Sequence, residues 1–149
     1  MTSGSASNKP HGGAAELLVA HELMEHGFGV CIPLGDSEPY DLIATSGKKI
    51  SRIQVKSSRA ASKHGTYRVM FAHGRKTKVM YTPDQTDFIA AVLYYDTTTA
   101  IYIIPVKDIK TLKGIFYDVG KHPRYPQKWP ACKWEDYRGR YDLLTAKSR

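Results

Sequence analysis

Four residues are of types, and at spacings, that could do chemistry together: Glu16, Asp41, Gln54 and Lys56. Glu16 and Asp41 carry carboxylates, the hard oxygen donors that suit Mg²⁺. Gln54-Val55-Lys56 adds a neutral side-chain oxygen and, two positions on, an ammonium. An acid on a helix, an acid on one strand and x-Val-Lys on the partner strand would make a metal-and-lysine site. A divalent ion held there activates water and neutralises charge growing on a phosphorane, which is the demand of phosphodiester hydrolysis. A lysine beside it can hold the attacking water or the scissile phosphate. The plain alternative is a surface hairpin whose lysine is incidental.

These residues need elements to position them. Residues 14–26, AAELLVAHELMEH, read as a helix stopped by Gly27 at the position after its last turn. At about 100° per residue, Glu16 falls between Leu23 and Ala20, inside an apolar arc that Val19, Met24 and Leu17 complete. A carboxylate on that arc is costly unless something pairs with it. Otherwise it snorkels out of the first turn, where the helix dipole favours it. A short strand follows over Gly29–Pro33. Tyr40–Thr45 and Ile50–Ser57 then form two arms of a hairpin, with Gly47-Lys48 as its two-residue turn. That turn sets a register in which paired residue numbers share one sum, so Asp41 faces Gln54, with Cβ atoms about 4.5–5.5 Å apart. Gln54 and Lys56 point one way while Ile53 and Val55 point into the core. Thr66–Phe71, Thr86–Tyr95 and Ala100–Ile104 read as further strands, and Pro105–Leu112 and Trp134–Leu144 as short helices. A helix followed by consecutive strands argues for an α+β fold with a mixed sheet.

The chain has 149 residues, enough for one domain: a Gly/Ser/Ala-rich head over residues 1–11, expected to be disordered, and a single unit over 12–149. No apolar run approaches the roughly 20 residues of a membrane span. The opening MTSGSASNKPHGG lacks the apolar centre of a secretory signal. Two cysteines are too few for a disulfide scaffold, so a reducing cytoplasm is expected and membrane partners are not. Charge is uneven. Residues 47–83 hold ten Lys/Arg and no Asp or Glu within a net charge of +8. That stretch is either a polyanion surface or a solvated basic face. Arg59, Lys63, Arg75, Lys76 and Lys78 are its candidate phosphate contacts, each also readable as an ordinary solvent-facing base. Other features carry less. His21-Glu22 and His26 are one residue too far apart for a zinc-binding HExxH helix. Cys31 reads as a buried strand cysteine, and Cys132 has no evident metal partner. Gly12-Gly13 lack the further glycines of a phosphate cradle, so no nucleotide cofactor is expected. Tyr94, Tyr95 and Tyr102 look like strand packing, whereas Tyr125, Trp129 and Trp134 could form a subunit interface or stack on bases.

At these residues the sequence resembles the PD-(D/E)XK nuclease superfamily. Pro39-Tyr40-Asp41 stands at the "PD" half, with Tyr40 inserted, and Gln54-Val55-Lys56 at the "(D/E)XK" half. Glu16 matches the upstream helix glutamate of many members. More narrowly, the chain is similar to the small branch of tetrameric group I intron-encoded homing endonucleases, where Gln replaces the acid to give QxK. The likeness runs from about Gly12 to Pro105, with Thr86–Pro105 resembling the branch's central strands, and WEDYRGRYDLL extends it. The resemblance implies a restriction-endonuclease-like core with a mixed central sheet flanked by helices. It implies a Mg²⁺-dependent endonuclease acting on double-stranded DNA, site-specific in a homing or restriction-like manner. It makes Asp41 the central metal ligand, has Glu16 and Gln54 complete the shell with the Val55 carbonyl, and gives Lys56 the electrostatic and water-orienting role. Gln54 departs from the family's acid and brings no charge. Cutting both strands needs two sites on one duplex, hence a homodimer or homotetramer. A Holliday-junction resolvase, or a non-catalytic DNA-binding module with a degenerate site, are the alternatives.

Overall fold

The computed structural model describes residues 9–96, 98–119 and 132–146. Helix α1 spans Lys9–Glu25 and so begins ahead of the expected Ala14. Pro10 falls in its first turn, where a missing N–H sacrifices no helical hydrogen bond. Of the expected head, residues 1–8 lie outside the described residues. The other end of α1 is closed as the sequence predicts. Gly27 takes φ +84°, its N–H donates to Met24 O at 2.9 Å, and Phe28 N–H donates to Leu23 O at 3.0 Å. This interlocked pair satisfies carbonyls that the helix end leaves free, and Phe28 and Leu23 pack in one core.

The strands are β1 (Gly29–Cys31), β2 (Leu42–Ser46), β3 (Lys49–Ser58), β4 (Tyr67–Met70), β5 (Ala72–His73), β6 (Val79–Met80), β7 (Phe88–Tyr94), β8 (Thr99–Pro105) and β9 (Lys113–Phe116). Five of them form one mixed sheet in the order β1-β2-β3-β7-β8, with β3 and β7 parallel and the other pairs antiparallel. β4–β9 and β5–β6 are separate two-stranded ribbons. Two predicted helices are absent. Pro105–Leu112 contains a single 3-10 turn, Val106–Asp108, because Ile109 returns to extended backbone and the chain runs on into β9. Trp134–Leu144 is two 3-10 turns, Glu135–Tyr137 and Tyr141–Leu144. They are parted where Arg138 bridges to Tyr102 and Gly139, at φ +64°, donates to Ile101 O at 2.8 Å.

Alternation along β7 divides the interior in two. Ala90 and Val92 face α1, where Val19, Leu23, Leu42, Ile53 and Val55 fill one core. Ile89, Ala91 and Leu93 face the other way, onto a second core of Val69, Phe71, Tyr102, Ile104, Phe116 and Trp134. Thus α1 and the Tyr141–Leu144 turn flank one face, and the ribbons with the other 3-10 turns flank the opposite one. Trp134 is 3% exposed against Phe71 and Phe116, so it is a core residue and not a base-stacking one. Tyr95 and Tyr102 are buried as expected, their hydroxyls joined at 2.8 Å. Tyr125 and Trp129 lie outside the described residues. Cys31 is exposed on the edge strand, not buried as predicted. Cys132 is buried, and burial pushes its thiol up from the ordinary value.

One ion pair fixes the parallel junction. Arg52 on β3 donates from Nε and Nη2 to the two oxygens of Asp87, at 3.1 and 3.0 Å, and from Nη1 and Nη2 to the carbonyls of Asp84 and Pro83. Burial pushes the Asp87 carboxyl up, but the Arg52 hydrogen bonds and charge outweigh it and leave it below its ordinary value. The chain entering β7 is thereby pinned beside Ile53↔Phe88, the first step of the β3–β7 register.

Candidate active site

The β2–β3 turn sets the geometry. Gly47 takes φ +58° while Lys48 stays at negative φ, which brings glycine to the first central position of the turn. From Ser46↔Lys49 the pairing runs to Leu42↔Ile53 in the predicted register. One residue further, Asp41 N–H donates to Ile53 O at 2.9 Å, and its side chain turns onto β3. Asp41 Oδ2 there accepts from Gln54 Nε2 at 2.5 Å and from Val55 N–H at 2.8 Å. Gln54 Nε2 also reaches Val55 O at 3.3 Å. Asp41, Gln54 and Val55 are therefore interlocked.

Burial raises the Asp41 carboxyl above its ordinary value, against the Val55 N–H, the Lys56 charge and the Gln54 amide, which pull it down. Burial also raises Glu16, and the like charges of Asp41 and Asp36 add to it. Glu16 sits half-buried on α1 between buried Leu23 and Ala20, as its place on the helical arc predicts. Leu17 and Met24, expected on the same arc, are exposed at 66% and 58%. The structure thus brings Asp41 and Gln54 into contact and sets Lys56 as a charge acting on Asp41. Glu16 joins them through its field, with no hydrogen bond to them among the described residues. Asp36 is the member that sequence reasoning missed. It lies in the exposed loop before β2, where no periodicity marks a residue.

Two partly desolvated carboxylates that repel each other are a place where an added cation relieves strain in both. The donors are all oxygens: Asp41, Glu16, the Val55 carbonyl and Gln54 Oε1. That set fits a hard divalent ion. Gln54 presents nitrogen to Asp41, so its amide must turn over to offer its oxygen. Among the described residues no group of three or more His, Cys, Asp or Glu is poised to hold a metal.

The five predicted phosphate contacts are all exposed. Arg75, Lys76 and Lys78 lie at the β5–β6 turn, where Lys78 Nζ donates to Gly74 O at 2.6 Å. Arg59 stacks 3.8 Å over the Tyr94 ring, and Lys63 sits in the loop before β4. Among the described residues no helix is long and apolar enough to cross a membrane.

A family model described as PD-(D/E)XK endonuclease matches residues 6–138. The chain belongs to this family. The PD-(D/E)XK fold assignment is matched by a solved structure, that of a bacterial homing endonuclease, I-Ssp6803I. The two share 25% identity and a TM-score of 0.78, with 93% of each chain covered. No curated protein matches by sequence. The mixed five-stranded sheet with α1 is the restriction-endonuclease-like α+β arrangement. PD-(D/E)XK nucleases use divalent metal ions, and the oxygen donors around Asp41 agree with that requirement.

Proposed function

We propose that this PD-(D/E)XK endonuclease is a Mg²⁺-dependent, site-specific enzyme of the homing type that hydrolyses both strands of duplex DNA. The observation that carries the reading is the interlock of Asp41 with Gln54 and Val55, with Lys56 beside it on the same sheet face. Asp41 is the central ligand, and Glu16, Gln54 Oε1 and the Val55 carbonyl complete the shell. When bound, the ion supplies an activated water and neutralises charge on the phosphorane. The chain's own groups do the rest. Lys56 holds the water or scissile phosphate by its ammonium. Arg59, Lys63, Arg75, Lys76 and Lys78 hold the flanking phosphates. Two copies of the site must face one duplex, so the working form is a homodimer or homotetramer.

The test is cutting of a plasmid library of genomic fragments by purified protein, in Mg²⁺ and in EDTA, with Lys56→Ala alongside. The expected outcome is Mg²⁺-dependent linearisation that falls by about 10²–10³-fold in the variant, the usual loss when one electrostatic stabiliser is removed. Equal cutting by wild type and Lys56→Ala would refute the assignment. Preference for four-way junctions over linear duplex would replace homing by junction resolution.

A further inference from the structure

Lysine carries a flexible four-carbon stem, and a catalytic ammonium must be held in place to be useful. Among the described residues, no hydrogen bond holds the Lys56 ammonium. What lies against it is an aromatic face: Lys56 Nζ is 5.3 Å from the centroid of the Tyr81 ring, within cation–π range. Tyr81 follows β6 directly and is half-buried against the second core, with its N–H donating to Phe71 O at 3.4 Å. The His73 ring is 5.0 Å from that of Tyr81, tilted by 50°. The β5–β6 register, Ala72↔Met80 and His73↔Val79, fixes both residues at the base of the basic ribbon. His73 Nε2 is buried without a hydrogen-bond partner among the described residues.

We infer that Tyr81 is a positioning residue for Lys56: its ring face holds the ammonium over the site while leaving its protons free for water or phosphate. The inference rests on the nuclease reading above. A π face is what matters, so Tyr81→Phe keeps the function and Tyr81→Leu loses it. The library-cutting assay, run at enzyme excess to read a single-turnover rate, should show Tyr81→Leu slowed by about 5–30-fold, the equivalent of one cation–π contact. Tyr81→Phe should stay near wild type, and DNA affinity in EDTA should be unchanged in both. In a Lys56→Ala background, Tyr81→Leu should add no further loss.

An unchanged rate in Tyr81→Leu, a loss shared by Tyr81→Phe, or an additive loss in the double variant would overturn the inference while leaving the nuclease reading intact. Wild type and Lys56→Ala cutting alike would overturn the nuclease reading and this inference with it. Should Tyr81→Leu not fold, Tyr81→Met fills the space without a π face and decides on the same assay. Independently of cutting, the Lys56 ε-methylene protons in metal-free protein should be shifted upfield by the ring, and an unshifted resonance would overturn the contact.

Discussion

Replacing Gln54 by Glu exchanges a donor for a second carboxylate at the point where Nε2 touches Asp41 Oδ2 at 2.5 Å. Two unit charges about 3 Å apart, at an effective dielectric of about 20, repel by about 5 kcal/mol. The pair relaxes by swinging apart, and Lys56 offsets part of the charge. Asp41 still loses a donor in a desolvated setting, a deficit of about 1–3 kcal/mol that relaxation does not remove. For a chain of this size that lowers the melting temperature by about 2–12 °C. A divalent ion between the two carboxylates reverses the sign of the effect, since binding at 100-fold above Kd returns about 2.7 kcal/mol. Melting should be followed at pH 8 in EDTA and again in Mg²⁺. Gln54→Glu should melt below wild type in EDTA and regain the difference in Mg²⁺, with a larger metal-induced gain than wild type. Identical melting in EDTA would refute the interlock. A deficit that Mg²⁺ leaves untouched would refute the placement of the ion beside Asp41.

Three other outcomes follow from the same geometry. Asp41 has its carboxyl raised in the folded state, so its contribution to stability is present below the unfolded-state pKa and is lost as pH rises through the folded value. Asp41→Asn should therefore melt higher than wild type at pH 8 in EDTA while cutting nothing, and a lower melting temperature would refute the burial argument. Arg75→Ala and Lys76→Ala should each reduce the slope of log affinity against log salt by about 0.9, and an unchanged slope would remove that residue from the DNA contact. A Cβ on Gly114 would stand 2.6 Å from the Phe71 ring and 2.8 Å from Phe116, so Gly114→Ala should cost about 1–3 kcal/mol by overpacking. Unaltered thermal melting would show that the second core is looser than described.

The sequence discloses the site wherever a local rule ties its members together. A two-residue turn and a period of two are enough to put Asp41 against Gln54, and the helical arc is enough to flag Glu16. What stayed hidden depends on distant chain. β5 and β6 are two residues each, too short to show alternation, and β9 is specified by its pairing with β4. Tyr81 meets Lys56 only through tertiary structure, across a separation that no local pattern marks. Trp134 reads as an interface or base-stacking aromatic at the start of an expected helix, and the Phe71–Phe116 core buries it. Leu17 and Met24 show the converse failure. The face α1 presents to the sheet is narrow, so apolar side chains at its margins remain in solvent.

The route of the chain between β3 and β7 sets an order of assembly. The β2–β3 hairpin closes over two residues, an event of about 1–10 μs, so Asp41, Gln54 and Val55 meet within one contiguous stretch of chain. β3 and β7 pair only after the long excursion from Arg59 to Asp87 has returned, with the Arg52–Asp87 clasp marking the point of return. Closing such an excursion depends only weakly on its length, adding about 0.6 kcal/mol for each doubling. The exposed turns bearing Lys63, Arg75, Lys76 and Lys78 are therefore free to lengthen or change their charges while the Asp41–Gln54 hairpin forms as before. Changes in that segment leave the local pairing of the hairpin intact, and the Tyr81–Lys56 contact is where this freedom ends.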